Sequence, residues 1–173
     1  MRYSLYLLLL LLFTVSCGNQ EKDYLIDYPH LKDKVVDLNE HLIAYNDASK
    51  NREVLNNKKT IVNIVDGTCS RCIQELKDWQ AFIDKHMSDE DVNYVFIAQG
   101  QHDFYFEYNV LKKDFLKMPI YLDPEYKFTD SNDLIDVKAE HTMILDERNK
   151  ILFLGSPVFN EEKEKQFFKV LNQ

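Results

Sequence analysis

Thr60-Ile61-Val62-Asn63-Ile64-Val65-Asp66-Gly67-Thr68-Cys69-Ser70-Arg71-Cys72 decides how this chain is read. Ile61 to Val65 is an apolar, β-branched run of the length of a buried strand. Beyond Cys72, the residues Ile73, Leu76, Trp79, Phe82 and Ile83 recur at steps of three and four, the spacing of an inward helix face. Two thiols with two residues between them therefore stand at a strand-to-helix junction. Such a pair closes a disulfide or holds a metal, and both chemistries draw on the same thiolates.

Working outward, Val92 to Ala98 reads as a second strand, and the aromatic-rich stretch from Phe104 to Leu116 as a helix. Met118 to Leu122 is a short strand that Pro119 confines to an edge or bulge. Asp123-Pro124 is a turn. Thr142 to Leu145 and Ile151 to Leu154 form a hairpin around the polar loop Asp146 to Lys150. Asn160-Glu161-Glu162 starts a last helix, with a capping residue followed by acids that the helix dipole favours. Its apolar side is Phe167, Phe168, Val170 and Leu171. Before the junction, Leu31, Val35, Leu38, Leu42 and Tyr45 predict an amphipathic helix in an extension spanning about residues 30–57. Strands joined through helices imply parallel pairing with right-handed crossovers. The expected fold is α/β, a mixed central sheet with helices on both faces.

The chain of 173 residues suffices for one domain with a real core. Its net charge of -8 argues against nucleic acid as a partner, because phosphate binding needs a basic face. Met1-Arg2 is a minimal positive start, Leu5 to Phe13 an apolar run too short to span a membrane comfortably, and Thr14-Val15-Ser16-Cys17 follows it. The segment resembles a bacterial lipoprotein signal, although Thr14 stands where that class prefers a leucine-like residue. The resemblance implies a signal peptide over residues 1–16, lipidation at Cys17, a tether over 17–29 and a folded domain over 30–173. It also implies a place in the bacterial cell envelope, lipid-anchored, on the periplasmic or outer face. With Cys17 acylated, Cys69 and Cys72 are the remaining thiols, in a compartment that permits disulfides. A bridge between them closes too small a loop to stabilise the fold much.

The order of elements from about residue 55 to 173 resembles the thioredoxin fold, a three-layer sandwich. Its nearest group is the membrane-tethered, TlpA-like thiol-disulfide oxidoreductases and redoxins of bacterial envelopes. The likeness rests on Ile61 to Cys72, on Met118-Pro119-Ile120-Tyr121-Leu122-Asp123, and on Thr142-Met143-Ile144-Leu145-Asp146 with Lys150-Ile151. It implies dithiol-disulfide exchange on exported client proteins that carry cysteines, supplied by an upstream redox partner and needing no cofactor. Independently of the likeness, a thiol at a helix N-terminus faces unpaired N–H groups and the positive end of the dipole, which lower its pKa. Cys69 is thus the nucleophile and Cys72 the resolving thiol. Arg71, Asp66, Glu140 and His141 are candidates to tune the thiols.

Two departures stand out. Thioredoxin-like proteins carry a cis-proline just before the strand that Thr142 begins, whereas Lys138-Ala139-Glu140-His141 contains no proline. Thr68 holds a position where many relatives have tryptophan. The segment Val137 to Thr142 also resembles the Asp-His segment of Sco-type copper-delivery proteins, which share the fold. That likeness implies an alternative: a copper-binding protein whose ligands are Cys69, Cys72 and His141, a soft set suited to copper. The Sco-type pair is, however, separated by three residues rather than two. Trp79 reads as core, Phe104-Tyr105-Phe106 with Tyr108 as packing plus exposed tyrosine, and His30, His41, His86 and His102 as surface residues.

Overall fold

A computed structural model describes residues 24–25, 27–45, 58–87, 91–101, 106–111, 116–134 and 141–173. The leader with Cys17, residues 46–57, His102, the pair Phe104-Tyr105 and Glu140 lie outside the described residues. The strands are β1 (Ile43–Ala44), β2 (Thr60–Asp66), β3 (Asn93–Gln99), β4 (Ile120–Asp123), β5 (Thr142–Leu145) and β6 (Ile151–Leu154). The helices are α1 (Ser70–His86), α2 (Lys127–Ser131) and α3 (Glu161–Leu171). The strands form one sheet in the order β1-β4-β3-β2-β5-β6. β2, β3 and β4 run parallel, and the pairings of β1 with β4, β2 with β5 and β5 with β6 are antiparallel. This is the mixed sheet expected, with its helix-joined strands parallel and its terminal hairpin antiparallel.

β2 lies in the middle of the sheet, and every residue in it except Asp66 is buried. Alternation along a strand sends successive side chains to opposite faces. Ile61 and Val65 meet Ile73, Leu76, Trp79, Phe82 and Ile83 of α1 and Phe167, Val170 and Leu171 of α3. Val62 and Ile64 meet Phe128 of α2, Leu134, and Leu31, Val36, Leu38 and Leu42 of the N-terminal segment. Trp79 is the hub of the first core, with Phe82 and Phe96 edge-on at centroid distances of 5.6 and 5.7 Å. Lys59, just before β2, reaches across to the carbonyls of Val170 and Leu171 at 3.1 and 2.8 Å and caps the end of α3.

The helix expected from Leu31 to Tyr45 is not formed. A 3-10 turn covers Pro29–Leu31, and β1 follows at Ile43–Ala44. Between them the backbone bonds to other parts of the fold rather than to itself. Val36 N–H donates to the Asn149 carbonyl at 2.9 Å, and Ile151 N–H to the Lys34 carbonyl at 3.0 Å. The Asn132 side chain accepts from Asp37 N–H and donates to the Asp37 carbonyl at 2.7 and 3.1 Å. The extended segment sinks Leu31, Val36, Leu38 and Leu42 into the second core and leaves Val35 and Tyr45 exposed. Tertiary hydrogen bonds have overridden a helical spacing. The stretch read as a helix from Phe104 contains a π-helical turn at Glu107–Leu111, with Phe106 buried and Tyr108 exposed. α2 was not foreseen, being one short, polar turn entered through Tyr126 at φ 59°.

Replacing Trp79 by alanine should cost about 3–5 kcal/mol through the cavity it leaves. Urea unfolding measures this. A loss under about 1 kcal/mol would show that the α1 core is not packed around the indole.

Candidate functional site

Cys69 is the N-cap of α1, in extended backbone at φ -96°, ψ 115°. Its Sγ accepts the Cys72 N–H at 3.3 Å, filling the role that a serine or aspartate oxygen usually plays at a helix start. The turn leading into it is pinned by Asp66. Its Oδ1 accepts from Thr68 N–H at 2.8 Å and Thr68 Oγ1 at 2.7 Å, and its carbonyl accepts the Cys69 N–H at 3.2 Å. Both cysteines are half-buried free thiols.

The two sulfurs differ electrostatically. The Cys69 thiol is held below its ordinary value of 9.0, first by a hydrogen bond from Cys72 and then by the backbone N–H groups of Cys72 and Arg71. The Cys72 thiol is pushed up to about 12, mainly by burial and then by its hydrogen bond to Cys69. A low-pKa outer thiol and a protonated inner one are what ordered exchange needs.

The sequence candidates fall in distinct places. Arg71 is exposed and acts on Cys69 through its backbone N–H, while its guanidinium acts on Glu75. Asp66 raises the pKa of Cys69 by its charge, so its contribution to the site is the turn it holds. His141 stands immediately before β5 at φ 30°, and its carbonyl accepts Ile64 N–H at 2.7 Å. No cis peptide bond occurs among the described residues. Nor do any three His, Cys, Asp or Glu side chains among them gather as a ligand set, so Cys69, Cys72 and His141 are not brought together as one. Glu140 and Cys17 lie outside the described residues. Trp79 is core, as read, and His30, His41 and His86 are exposed.

Glu75 was missed. It follows Cys72 by three residues on the inward side of α1 and is half-buried there. Burial raises its carboxyl above the usual 4.5, against the opposing charges of His141 and Arg71 and a hydrogen bond with Asn63. Asn63 is fully buried and donates its amide to Thr142 Oγ1 at 2.8 Å. Its Oδ1 has no hydrogen-bond partner among the described residues. Glu75 and Asn63 thus form a polar pair beneath the start of α1, with the Asn63 hydrogen bond favouring the ionised carboxylate and burial opposing it. An acidic residue inside the apolar stripe Ile73, Leu76, Trp79 was the signal available in the sequence.

The sequence matches the Redoxin family over residues 31–171, and the chain belongs to that family. Its fold is that of solved thioredoxin-like proteins. A protein assigned as the thiol:disulfide interchange protein DsbE of Chlorobium tepidum superposes with a TM-score of 0.56 at 13% identity, covering 81% of this chain and 97% of that one. One assigned as a thiol-disulfide oxidoreductase of Bacteroides vulgatus gives 0.55 at 17% identity, covering 76% and 87%. One assigned as a protein disulfide isomerase of Bacteroides thetaiotaomicron gives 0.53 at 13%, covering 82% and 91%. Among curated proteins, none matches the sequence.

The Glu75 carboxyl gives a pH test. Because folding raises its pKa, the folded state prefers the protonated form. Its penalty is absent below the unfolded value near 4.5, sets in as pH rises toward the folded value, and is full above it. Glu75→Gln should therefore raise the melting temperature at pH ~8 by roughly 2–4 °C and change it little at pH ~4. Equal effects at both would contradict the assignment.

Proposed function

We propose that the protein is a thiol-disulfide oxidoreductase of the cell envelope that reduces disulfides in exported client proteins. The observation that carries this is the Cys69 sulfur seated as N-cap of α1, its thiol pKa lowered while that of Cys72 is raised. In the first step the Cys69 thiolate attacks one sulfur of a client disulfide. A Cys69–client bond forms, and the other client sulfur leaves as a thiolate. In the second, Cys72 gives up its proton and attacks Cys69 Sγ. The Cys69–Cys72 bond forms and the second client thiol is released. Two electrons have passed from the dithiol to the client, and an upstream dithiol partner restores them.

The split in pKa also orders the steps. Part of what keeps Cys72 protonated is its hydrogen bond to Cys69. Once Cys69 is tied up in the mixed disulfide, its thiolate no longer holds that proton, and Cys72 becomes the better nucleophile. The placement in the envelope is supported by the short apolar leader that ends at Cys17, where a lipid anchor would attach the domain to a membrane.

Cys72→Ser should accumulate mixed disulfides between Cys69 and client proteins, and Cys69→Ser should trap none. Non-reducing gels of envelope extracts read this out. Trapping by Cys69→Ser alone would reverse the two roles, and trapping by neither would sink the exchange mechanism.

A further inference from the structure

Beside the dithiol, on the face of the sheet away from α1, lies a cavity of about 240 Å³. It is lined by Ile64, Val65, Asp66, Gln99, Tyr126, Thr129, Leu134 and His141. Small-molecule pockets run to roughly 300–1,000 Å³, so this one has the scale of a single side chain. Asp66 ties it to the chemistry, because the same residue lines the cavity and accepts the Cys69 N–H on its carbonyl. A client chain whose sulfur meets Cys69 therefore carries its neighbouring side chain to the cavity mouth.

We propose that this cavity takes a basic side chain, lysine or arginine, that adjoins the reacting cysteine of the client. The assignment rests on the dithiol-exchange reading and names the substrate feature it selects. The wall chemistry is that of a long, cation-tipped side chain. Ile64 and Leu134 are buried apolar surface for a methylene stem. Two of the polar groups, Asp66 and Gln99, have acceptor oxygens to spare. Asp66 Oδ1 is taken by Thr68, which leaves Oδ2 for a ligand. The Gln99 amide N–H groups are committed to Asp123 Oδ2, at 2.9 Å, and to Thr129 Oγ1, which leaves its carbonyl oxygen. Asp123 is a buried carboxylate held through that neutral amide, so negative charge stands behind the cavity as well as at its rim. Among the described lining residues none is lysine or arginine.

Tyr126 adds an aromatic wall. Gly100 has φ 85°, and a Cβ there would stand 2.9 Å from Tyr126 Oη. Only glycine lets the ring lie so close over the end of β3. The half-exposed ring offers a face to a cation. The whole chain's charge of -8 further favours the approach of a basic segment.

The test uses the reduced full chain and short cysteine peptides carried as mixed disulfides with thionitrobenzoate. The peptides are identical except for lysine, norleucine or glutamate beside the cysteine. Each exchange consumes the Cys69–Cys72 dithiol and releases peptide thiol and thionitrobenzoate, so absorbance reports the rate. Every rate is divided by that of the same protein on the neutral bis(hydroxyethyl) disulfide. The lysine peptide should react about three- to tenfold faster than the glutamate peptide at low ionic strength, with norleucine between them. Added salt should shrink the ratio. Gln99→Lys should bring it to one or below, and Asp66→Asn should lower it even if the first variant fails to fold. Equal rates for the three peptides would overturn the pocket while leaving dithiol exchange standing. So would a lysine preference unchanged in Asp66→Asn, because it would then come from net charge alone. No turnover of the hydroxyethyl disulfide would overturn the exchange reading itself, and the pocket with it.

Discussion

The chemistry of this protein depends on one unsatisfied backbone group. A helix leaves its first N–H groups without partners inside the helix. In α1 the Cys72 N–H finds its partner in the sulfur of Cys69. Because a thiolate accepts such a bond better than a thiol does, the helix start and the reactivity of Cys69 are the same interaction. β2 sets where that start falls. It is buried along its length, paired on both edges, and ends at Asp66, whose carboxylate shapes the turn that places Cys69 on the cap.

The pairing of β2 with β5 brings the rest of the site to the same end of the sheet. Asn63 lies opposite Thr142, and the register carries His141 to Ile64, where its carbonyl is held. His141 then borders two environments. On one side is the Glu75, Asn63 and Thr142 group beneath α1, where burial raises the pKa of the carboxyl and Asn63 donates to Thr142. On the other is the acceptor-rich cavity over α2. His141 is thus a wall between a half-buried acid and an open cleft. The Cys69 thiolate is favoured by hydrogen bonds from Cys72 and from the Arg71 backbone, while the Arg71 guanidinium acts on Glu75.

Much of this was legible in the sequence, where local pattern and tertiary demand agree. β2, α1, the hairpin of β5 and β6, and α3 have strong periodicity and bounded ends, and Cys69 could be placed on a helix cap from its neighbours alone. The segment from Leu31 to Tyr45 was misread because its spacing of three and four fits an extended chain that dips repeatedly into a core. The partners that decided the matter, Asn149, Lys150 and Asn132, lie about a hundred residues away. α2 is too short and polar to leave a periodic signal. Glu75 was overlooked because a charged residue on a helix is ordinarily assigned to the solvent face, although its place in the stripe of Leu76 and Trp79 argued otherwise. Gln99, Tyr126 and Leu134 come from separate elements, and only the folded sheet brings them around one cavity.

The central claim is that the cap splits the two thiols. Ultraviolet thiolate absorbance against pH, taken as the difference between the reduced full chain carrying Cys17→Ser and the same chain with Cys69→Ser or Cys72→Ser so that tyrosinate cancels, measures this directly. The account predicts one thiolate appearing below pH 9.0, abolished in Cys69→Ser, and a second that is absent until pH approaches about 12. Two thiolates rising together near pH 9.0 would contradict it, because neither sulfur would then be held by the start of α1.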